Sequence, residues 1–312
     1  FDAQLLAEYE KTFGVHSFHL LGGYEQRQST EDDVTAQRQG AYNNDLQLPG
    51  NGDASLQSTG SGANQVRLVR QFARLNYDLL GRYLFEADIS HDGSSRFGPN
   101  SKYGTFPSFS AAWRVSQEDW FKGHAGFVNE FKLRGSWGRL GNDRIGDYLF
   151  QQTINVNSGN YNFNNALATG ATPGRIANPD ISWETTEQTD FGTDIEMFDG
   201  RLSFTGDVYK KQTTGILLQL PISSLVGQTA ATTNAGGLSN KGWETAVNWR
   251  SNIHTFNYSI GFNLADNHPK ITSLPSGDQF NVGCFPCIRR LGEDRTRTSA
   301  SRPSASSRAT PR

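Results

Sequence analysis

The chain has 312 residues, and its 29 basic residues against 31 acidic ones give a formal net charge of −2, which does not favour nucleic acid as a partner. Apolar residues make up 35% of the chain, and no stretch approaches the ~20 consecutive apolar residues of a membrane-spanning helix. The 20 Phe, 10 Tyr and 33 Gly, beside a single Met, favour strands and turns over helices. The composition therefore predicts an all-β protein.

Ten segments alternate apolar and polar side chains, as amphipathic strands do. In chain order they lie near 3–10, 16–25, 66–77, 83–90, 108–115, 131–138, 183–197, 202–209, 243–250 and 256–264. In the fourth segment, Phe85 and Ile89 share one face while Glu86 and Asp88 share the other. One such segment is weak evidence, but ten in succession predict a large antiparallel sheet.

The connections between these segments alternate in length. Short linkers are expected at 11–15, 79–81, 199–200 and 251–254, with a longer one at 116–128, and long polar linkers at 26–65, 93–104, 140–182 and 211–240. Outer-membrane barrels combine short periplasmic turns with long extracellular loops in this way. The alternation predicts an antiparallel transmembrane β-barrel. A soluble β-sandwich with an aromatic core is the alternative, although it has no need to place its long loops at one end.

One turn predicts strand register directly. The pair Asp199-Gly200 predicts a type I′ hairpin, because both central residues of that turn have positive φ. The resulting cross-strand pairs are Ile195 with Phe204, Phe191 with Val208, and Asp194 with Thr205.

Two further turns predict register less directly. A turn at 79–81 would pair Tyr77 with Tyr83 and bring Arg74 opposite Glu86. A four-residue turn at 251–254 would place Trp249 opposite Phe256, as part of an aromatic girdle at the periplasmic rim.

The cost of charge in hydrocarbon predicts which face meets lipid. An Arg or Lys on the lipid side near the bilayer midplane costs about 2–4 kcal/mol, so the aromatic face is expected to point outward. The residues expected to face the lumen are Arg74, Glu86, Asp88, Lys132, Arg134, Asp194 and Asp207.

The sequence gives little support to catalysis or metal binding. Asp190, Asp194 and Glu196 share a strand face, as a two-carboxylate hydrolase would require, but a hydrophilic pore lining needs the same spacing. The six histidines lack metal-ligand spacing, and Cys284 and Cys287 lack a second pair to complete a zinc site. Nucleotide-binding glycine motifs and a Gly-x-Ser-x-Gly elbow do not occur. We therefore expect no enzyme, cofactor or metal site.

Particular strings, beyond the alternation, point to a family. They are Gly81-Arg82-Tyr83-Leu84-Phe85-Glu86-Ala87, Asp92-Gly93-Ser94-Ser95-Arg96-Phe97-Gly98, Phe106-Pro107-Ser108-Phe109-Ser110-Ala111-Ala112-Trp113, Leu133-Arg134-Gly135-Ser136-Trp137-Gly138-Arg139-Leu140-Gly141-Asn142, Asn178-Pro179-Asp180-Ile181-Ser182-Trp183-Glu184 and Asn240-Lys241-Gly242-Trp243-Glu244. In order and spacing they resemble the barrel of SusC/RagA-type TonB-dependent outer-membrane receptors of Bacteroidota. The resemblance covers roughly residues 1–283.

The resemblance implies a barrel of about 22 strands with an N-terminal plug. The ten strands found here would then be an incomplete half-pipe lacking plug and TonB box, with open edges near 3–9 and 258–264. The implied location is the outer membrane. The implied partners are a SusD-like surface lipoprotein, the TonB complex through the plug, outer-membrane lipid, and an oligosaccharide or peptide substrate.

Three interpretations remain open for the C-terminal segment, 284–312, which is rich in Arg, Ser and Pro and loses the alternation. It is either a frameshifted gene end or a disordered basic tail; a nucleic-acid-binding arm is the least favoured interpretation.

The function implied is active nutrient uptake. A fixed-pore or structural barrel and a soluble carbohydrate-binding module are the alternatives. Aromatic rings that stack on sugar faces, with Asn and Asp side chains for the hydroxyls, suggest ligand contacts in the long loop. The candidates are Asn142, Asp143, Tyr148, Asn160, Tyr161, Asn162, Phe163 and Trp183.

Overall fold

The protein is built around one antiparallel sheet of ten strands. The computed structural model describes residues 1–41, 45, 48, 50–156, 158–220, 222–253 and 255–274, and the backbone of 280–281 and 288–289. The ten strands are β1 (Asp2–Phe13), β2 (His16–Arg38), β3 (Gln57–Leu79), β4 (Tyr83–Ser94), β5 (Tyr103–Arg114), β6 (Val128–Asn142), β11 (Glu184–Met197), β12 (Leu202–Gln219), β13 (Thr232–Ile253) and β14 (Phe256–Ser273). They pair in that order, with β1 and β14 at the two edges.

Shorter elements lie between and beyond these strands. Between β6 and β11, β7 (Ile154–Val156) pairs with β10 (Ala171–Pro173), and β8 (Tyr161–Phe163) pairs with β9 (Ala166–Ala168). After the sheet, β15 (Phe280–Asn281) pairs with β16 (Ile288–Arg289). A single helical turn, α1 (Asp119–Lys122), lies in the linker from β5 to β6, and 3₁₀ turns occur at Ala54–Leu56, Val115–Gln117 and Ser224–Val226. Among the described residues, no helix is long and apolar enough to cross a membrane.

The all-β prediction, the ten strands and the two edges are confirmed. The two cysteines, and all of 284–312 except 288–289, lie outside the described residues, so the predictions made for that segment stay predictions.

The hairpin at Asp199-Gly200 is confirmed. Asp199 and Gly200 have φ of 56° and 76°, and the Arg201 amide donates to the Phe198 carbonyl at 3.2 Å. The three predicted pairs are all present: Ile195 with Phe204, Phe191 with Val208, and Asp194 with Thr205.

The register predicted between β3 and β4 is wrong by two residues. Tyr77 lies opposite Phe85, and Arg74 lies opposite Asp88 rather than Glu86. The ladder continues to Leu79 and Tyr83 because the Asp78 carboxylate accepts from the Gly81 amide at 2.7 Å, which places the tight turn at Leu80 and Gly81. A shift of two residues leaves every side chain on its predicted face.

The pairing of Trp249 with Phe256 is also wrong. Trp249 lies opposite Ile260, while Phe256 lies opposite Ile253. The polar residues at the end of β13 were assigned to a turn, but their backbones continue the ladder, and Asn252 lies opposite Asn257.

The long loops are shorter than predicted because the strands extend beyond the alternating segments. Strands β2 and β3 stay paired as far as Arg38 opposite Gln57, so their connection is 39–56 rather than 26–65. Similarly, β12 and β13 remain paired from Leu202 opposite Trp249 to Gln219 opposite Thr232. Alternation is needed only where the two faces meet different surroundings, so its end marks a change of environment rather than the end of a strand.

The sheet has two chemically distinct faces. On the first, which we call the apolar face, the rings of Phe13, Phe18, Tyr77 and Phe85 form a row with centroid separations of 5.5, 4.6 and 6.2 Å. Phe109 and Trp137 stack farther along the same face at 6.1 Å. Many of these rings are exposed, Phe85 by 48% and Phe109 by 54%. A large exposed aromatic surface indicates a nonaqueous environment or a partner.

Candidate functional site

The opposite face, which we call the charged face, carries a network of ion pairs across three strands. Arg134 of β6 lies 3.3 Å from Asp194 and 3.5 Å from Asp190 of β11, and 2.7 Å from Asp207 of β12. Lys132 adds a 2.9 Å contact to Asp194. The three aspartates and two basic residues leave a formal net negative charge at this point of the charged face.

A second group of polar pairs lies on the same face of β3 and β4. Arg74 contacts Asp88 at 2.5 Å, and Arg70 contacts Asp92 at 3.1 Å. Asn76 donates its side-chain amide to Glu86 at 2.8 Å. All seven residues predicted to face the lumen therefore lie on one face of the sheet.

The charged side chains of this face are partly exposed to solvent. The side chain of Arg134 is 32% exposed and that of Asp88 24% exposed, so the ions are only partly withdrawn from water. Among the described residues, no group of three or more His, Cys, Asp or Glu side chains could hold a metal ion. The acids pair with neighbouring bases, so this face is polar and its charges are largely compensated within the sheet.

A small apolar core lies at the end of the sheet that carries the long loops. Ile181 has no exposed surface, and Phe97 is 2% exposed. The Trp183 ring lies 5.0 Å from Phe97 and 5.4 Å from Phe106, measured between centroids. A Cβ at Gly141 would overlap the Phe106 ring, so the glycine of the Leu140-Gly141-Asn142 string is required for this close approach.

Ionic contacts surround this core. Arg96 donates Nε to Asp147 at 2.8 Å and lies 3.2 Å from Asp143, whose carboxylate also accepts from Ser94 Oγ at 2.9 Å. Asn64 of β3 donates to Asp147. Burial alone would raise the pKa of Asp147, but the hydrogen bonds from Arg96 and Asn64 outweigh it, so the pKa lies below its usual value.

Asparagine side chains attach the same loop to β12 and β13. Asn234 accepts from the Ser182 amide at 2.9 Å and donates to the carbonyls of Ser182 and Gly215 at 2.7 and 3.0 Å. Gly215 has φ of 65° and interrupts the register of β12, which exposes its carbonyl to Asn234. Asn178 donates to the Thr232 carbonyl at 2.8 Å. We refer to the segment 178–183 with Phe97, Phe106, Arg96, Asp143, Asp147 and Asn234 as the loop brace.

The structure separates the eight predicted ligand contacts into two groups. Asp143 and Trp183 belong to the loop brace, Tyr148 donates its hydroxyl to the Gln65 carbonyl at 2.6 Å, and Asn142 donates to Glu184 at 3.3 Å. The side chains of these four residues therefore already contact other residues of the protein.

The other four lie on or beside the β8–β9 hairpin. Tyr161 and Phe163 are 65% and 62% exposed, with ring centroids 4.7 Å apart. Asn162 lies between them and is exposed, while Asn160 accepts from the Gly170 amide at 3.0 Å.

Three residues of the loop brace, Arg96, Ile181 and Asn234, are not predictable as contact residues from their own sequence positions. The first two lie within strings that resemble the family, but their role depends on contacts over long sequence separations, such as 51 residues from Arg96 to Asp147. A single sequence contains no pattern that reports such a contact.

At the other end of the sheet, the Glu118 side chain links the turn between β3 and β4 to the end of β5. Its carboxylate accepts from Tyr83 Oη at 2.7 Å and from Trp113 Nε1 at 3.1 Å, and Arg82 lies 3.0 Å away. The hydrogen bonds from Tyr83 and Trp113, followed by the charge of Arg82, hold the pKa of Glu118 below its usual value of 4.5.

The model of the TonB dependent receptor-like, beta-barrel family matches residues 2–283. The chain belongs to this family. TonB-dependent receptor P3 of Formosa agariphila is 32% identical over 284 residues, which are 89% of this chain and 28% of that receptor. TonB-dependent receptor SusC of Bacteroides thetaiotaomicron is 31% identical over 281 residues, which are 88% of this chain and 27% of SusC. The chain thus spans little more than a quarter of the length of these TonB-dependent receptors.

A solved structure agrees with this assignment. The structure of the RagAB peptide transporter superposes with a TM-score of 0.84 at 26% identity, covering 93% of this chain and 32% of that one. The resemblance predicted from the sequence is confirmed. TonB-dependent receptor barrels are outer-membrane proteins and not enzymes, which excludes the soluble sandwich and catalytic interpretations.

Proposed function

We propose that this chain forms part of the wall of an outer-membrane importer, with its charged face lining the lumen and its apolar face meeting lipid. The main support for this proposal is the contrast between the two faces. On one face, Arg134 contacts aspartates from two neighbouring strands. The other face carries rows of exposed aromatic rings. Placing that network in hydrocarbon would cost several kcal/mol, whereas a water-filled lumen accommodates it.

We infer that transport is driven through the TonB complex, which would act on a plug inside the barrel. The support is membership of a family named for TonB dependence. A fixed pore with the same wall would conduct without an energy supply, and the two alternatives differ in a measurable way.

The proposed substrate is an oligosaccharide or a peptide, delivered by a SusD-like surface lipoprotein. SusC is among the relatives, and the RagAB structures are described as a peptide transporter and importer. We place the first ligand contacts on Tyr161 and Phe163, because these neighbouring rings are exposed, and Asn160 and Asn162, with their side-chain amides, adjoin them in the chain. Rings offer flat surfaces to sugar C–H groups or peptide side chains, and the amides can bond hydroxyl or peptide groups.

Uptake measurements on the full-length protein test this proposal. Labelled oligosaccharides and peptides should enter cells saturably, and a proton uncoupler should abolish that entry. Entry that is linear in concentration and insensitive to the uncoupler would establish a fixed pore.

A variant pair tests the ligand contacts. Tyr161→Ala with Phe163→Ala should raise the half-saturation concentration several-fold while surface expression stays unchanged. The matched control, Leu167→Ala, removes a 71% exposed apolar side chain from the same hairpin and should have no effect. Equal changes in both proteins would rule out a specific role for the two rings.

A further inference from the structure

Basic side chains meet across the last three strands of the apolar face. Lys210 of β12 lies directly opposite Lys241 of β13, which lies directly opposite His268 of β14. Lys270, two residues along β14 from His268, shares their face. All four side chains are exposed. Like charges directly opposite one another destabilise a sheet, so this arrangement needs an explanation.

Within the part of the chain that the structure describes, Lys210, Lys241 and Lys270 make no ion pair, and the neighbouring Asp266 contacts His268 at 3.0 Å. Elsewhere on the apolar face Arg139 is paired with Glu187, and on the charged face Arg134 contacts three aspartates. We call these three lysines, which are not matched by acids in the described residues, the lysine patch.

The lysine patch lies where the apolar band ends. The neighbouring pair toward the short turns is Val208 with Trp243, followed by further apolar residues such as Phe204 and Val247. From Phe256 at the short-turn end to His268, twelve residues at ~3.3 Å each and a tilt of ~40° span about 30 Å across a membrane. The apolar band of an outer-membrane barrel is ~25 Å tall. The lysines thus lie just beyond its outer boundary, on the side of the long loops.

We propose that the lysine patch is a docking surface for the phosphate groups of an outer-leaflet lipid. A lipid matches both halves of the surface, because its phosphate meets the ammonium groups while its acyl chains cover the band below, beginning at Trp243. Basic residues close to a membrane surface bind anionic headgroups in this way. The inference depends on the proposed function in one respect, which is that the apolar face meets lipid.

The test uses the full-length protein in detergent micelles with diphosphoryl lipid A as the probe. The triple variant Lys210→Gln, Lys241→Gln, Lys270→Gln should weaken binding by at least about tenfold. The matched control Lys102→Gln, Lys122→Gln, Lys211→Gln removes the same net charge, and Lys211 adjoins Lys210 on the opposite face. The control should bind as the parent does.

Two further measurements separate the possible failures. Lipid A stripped of phosphate should bind as weakly to the parent as intact lipid A binds to the triple variant, and millimolar inorganic phosphate should not displace the intact lipid. Equal binding of both lipids, equal losses in the two triple variants, or displacement by free phosphate would each overturn the inference.

Lipids with brominated acyl chains test separately whether the apolar face meets lipid. They should quench the fluorescence of Trp243, which is identified as the part of the signal that is lost in Trp243→Phe. Absent quenching would contradict the proposed orientation of the barrel wall. Quenching without phosphate dependence would contradict only the lipid docking surface.

Discussion

The same strands cross two different environments, and the two parts of the sheet are stabilised differently. In β2 and β3, the residues near the short turns alternate in polarity, with Phe18 beside Tyr77 on the apolar face. Farther along the same ladder, polar residues meet on both faces, as where Thr30 lies opposite Gln65. Backbone pairing continues unchanged there, supported by polar side-chain contacts such as that of Arg67 with Gln28 at 3.1 Å, without rows of apolar side chains.

The two parts also differ in where apolar groups are buried. The alternating part leaves its rings exposed in the isolated chain, whereas the loop end has an internal core around Ile181 and Phe97. The sheet therefore depends on its surroundings to bury its apolar rings, while the loop brace buries its own apolar side chains.

The largest effect is expected for charge on the apolar face. Phe85→Arg, Phe204→Arg or Ile260→Arg should prevent barrel assembly, because a basic charge at mid-strand would face hydrocarbon at a cost of about 2–4 kcal/mol. Heat-modifiable migration of the full-length protein on gels measures assembly. Ser110→Arg and Thr205→Arg, on the charged face and opposite Glu86 and Asp194, are the matched controls and should assemble. Equal damage at both sets would contradict the assigned faces.

A smaller effect, confined to the loops, is expected for the brace. Ile181→Ala should cost about 2–4 kcal/mol locally, because it leaves a cavity in a fully buried site. Hydrogen exchange and protease cleavage should increase within 143–183 while heat-modifiable migration stays normal. Loss of assembly would show that the loop core and the wall fold as one unit.

The charged face should tolerate substitution better than the apolar face or the loop brace. Arg134→Gln leaves three aspartates without their main counter-charge, but the site is partly solvated, so we expect a loss of about 1–2 kcal/mol. Denaturant unfolding in micelles measures this loss. Adding Asp207→Asn should restore part of it; an additive second loss would argue against direct coupling of the pair.

The smallest effect concerns Glu118. Because the pKa of its carboxyl is lowered in the folded protein, the ionised group stabilises the fold above about pH 4.5, and this contribution is lost as the pH falls through the folded-state pKa. The difference in Tm between the parent and Glu118→Gln should therefore be present at pH 7 and shrink below pH 4.5. Asp119→Asn, at a largely exposed neighbour, should show little change across this range.

The candidate site was only partly predictable. Sequence reasoning selected Tyr161 and Phe163, which are exposed, but it also selected Trp183 and Asp143, which are used in the loop brace. An aromatic or acidic residue in a polar loop has the same sequence appearance in either role. Only its neighbours, contributed by distant strands, separate a ligand contact from a structural one.

The fold class, the number and order of the long strands, the face of each mid-strand residue and the Asp199-Gly200 hairpin can all be predicted from the sequence alone. These follow from period-two alternation and from local φ preferences, both of which are encoded within a few residues. Three features depend on contacts in the folded chain: the register of β3 with β4, the ends of β2 and β3, and the loop brace around Ile181. A register shift of two residues keeps every side chain on the same face, so the polarity pattern does not change. Strand segments that are polar on both faces lack the alternation that marks a strand. The loop brace joins residues far apart in the chain, so no local pattern predicts it.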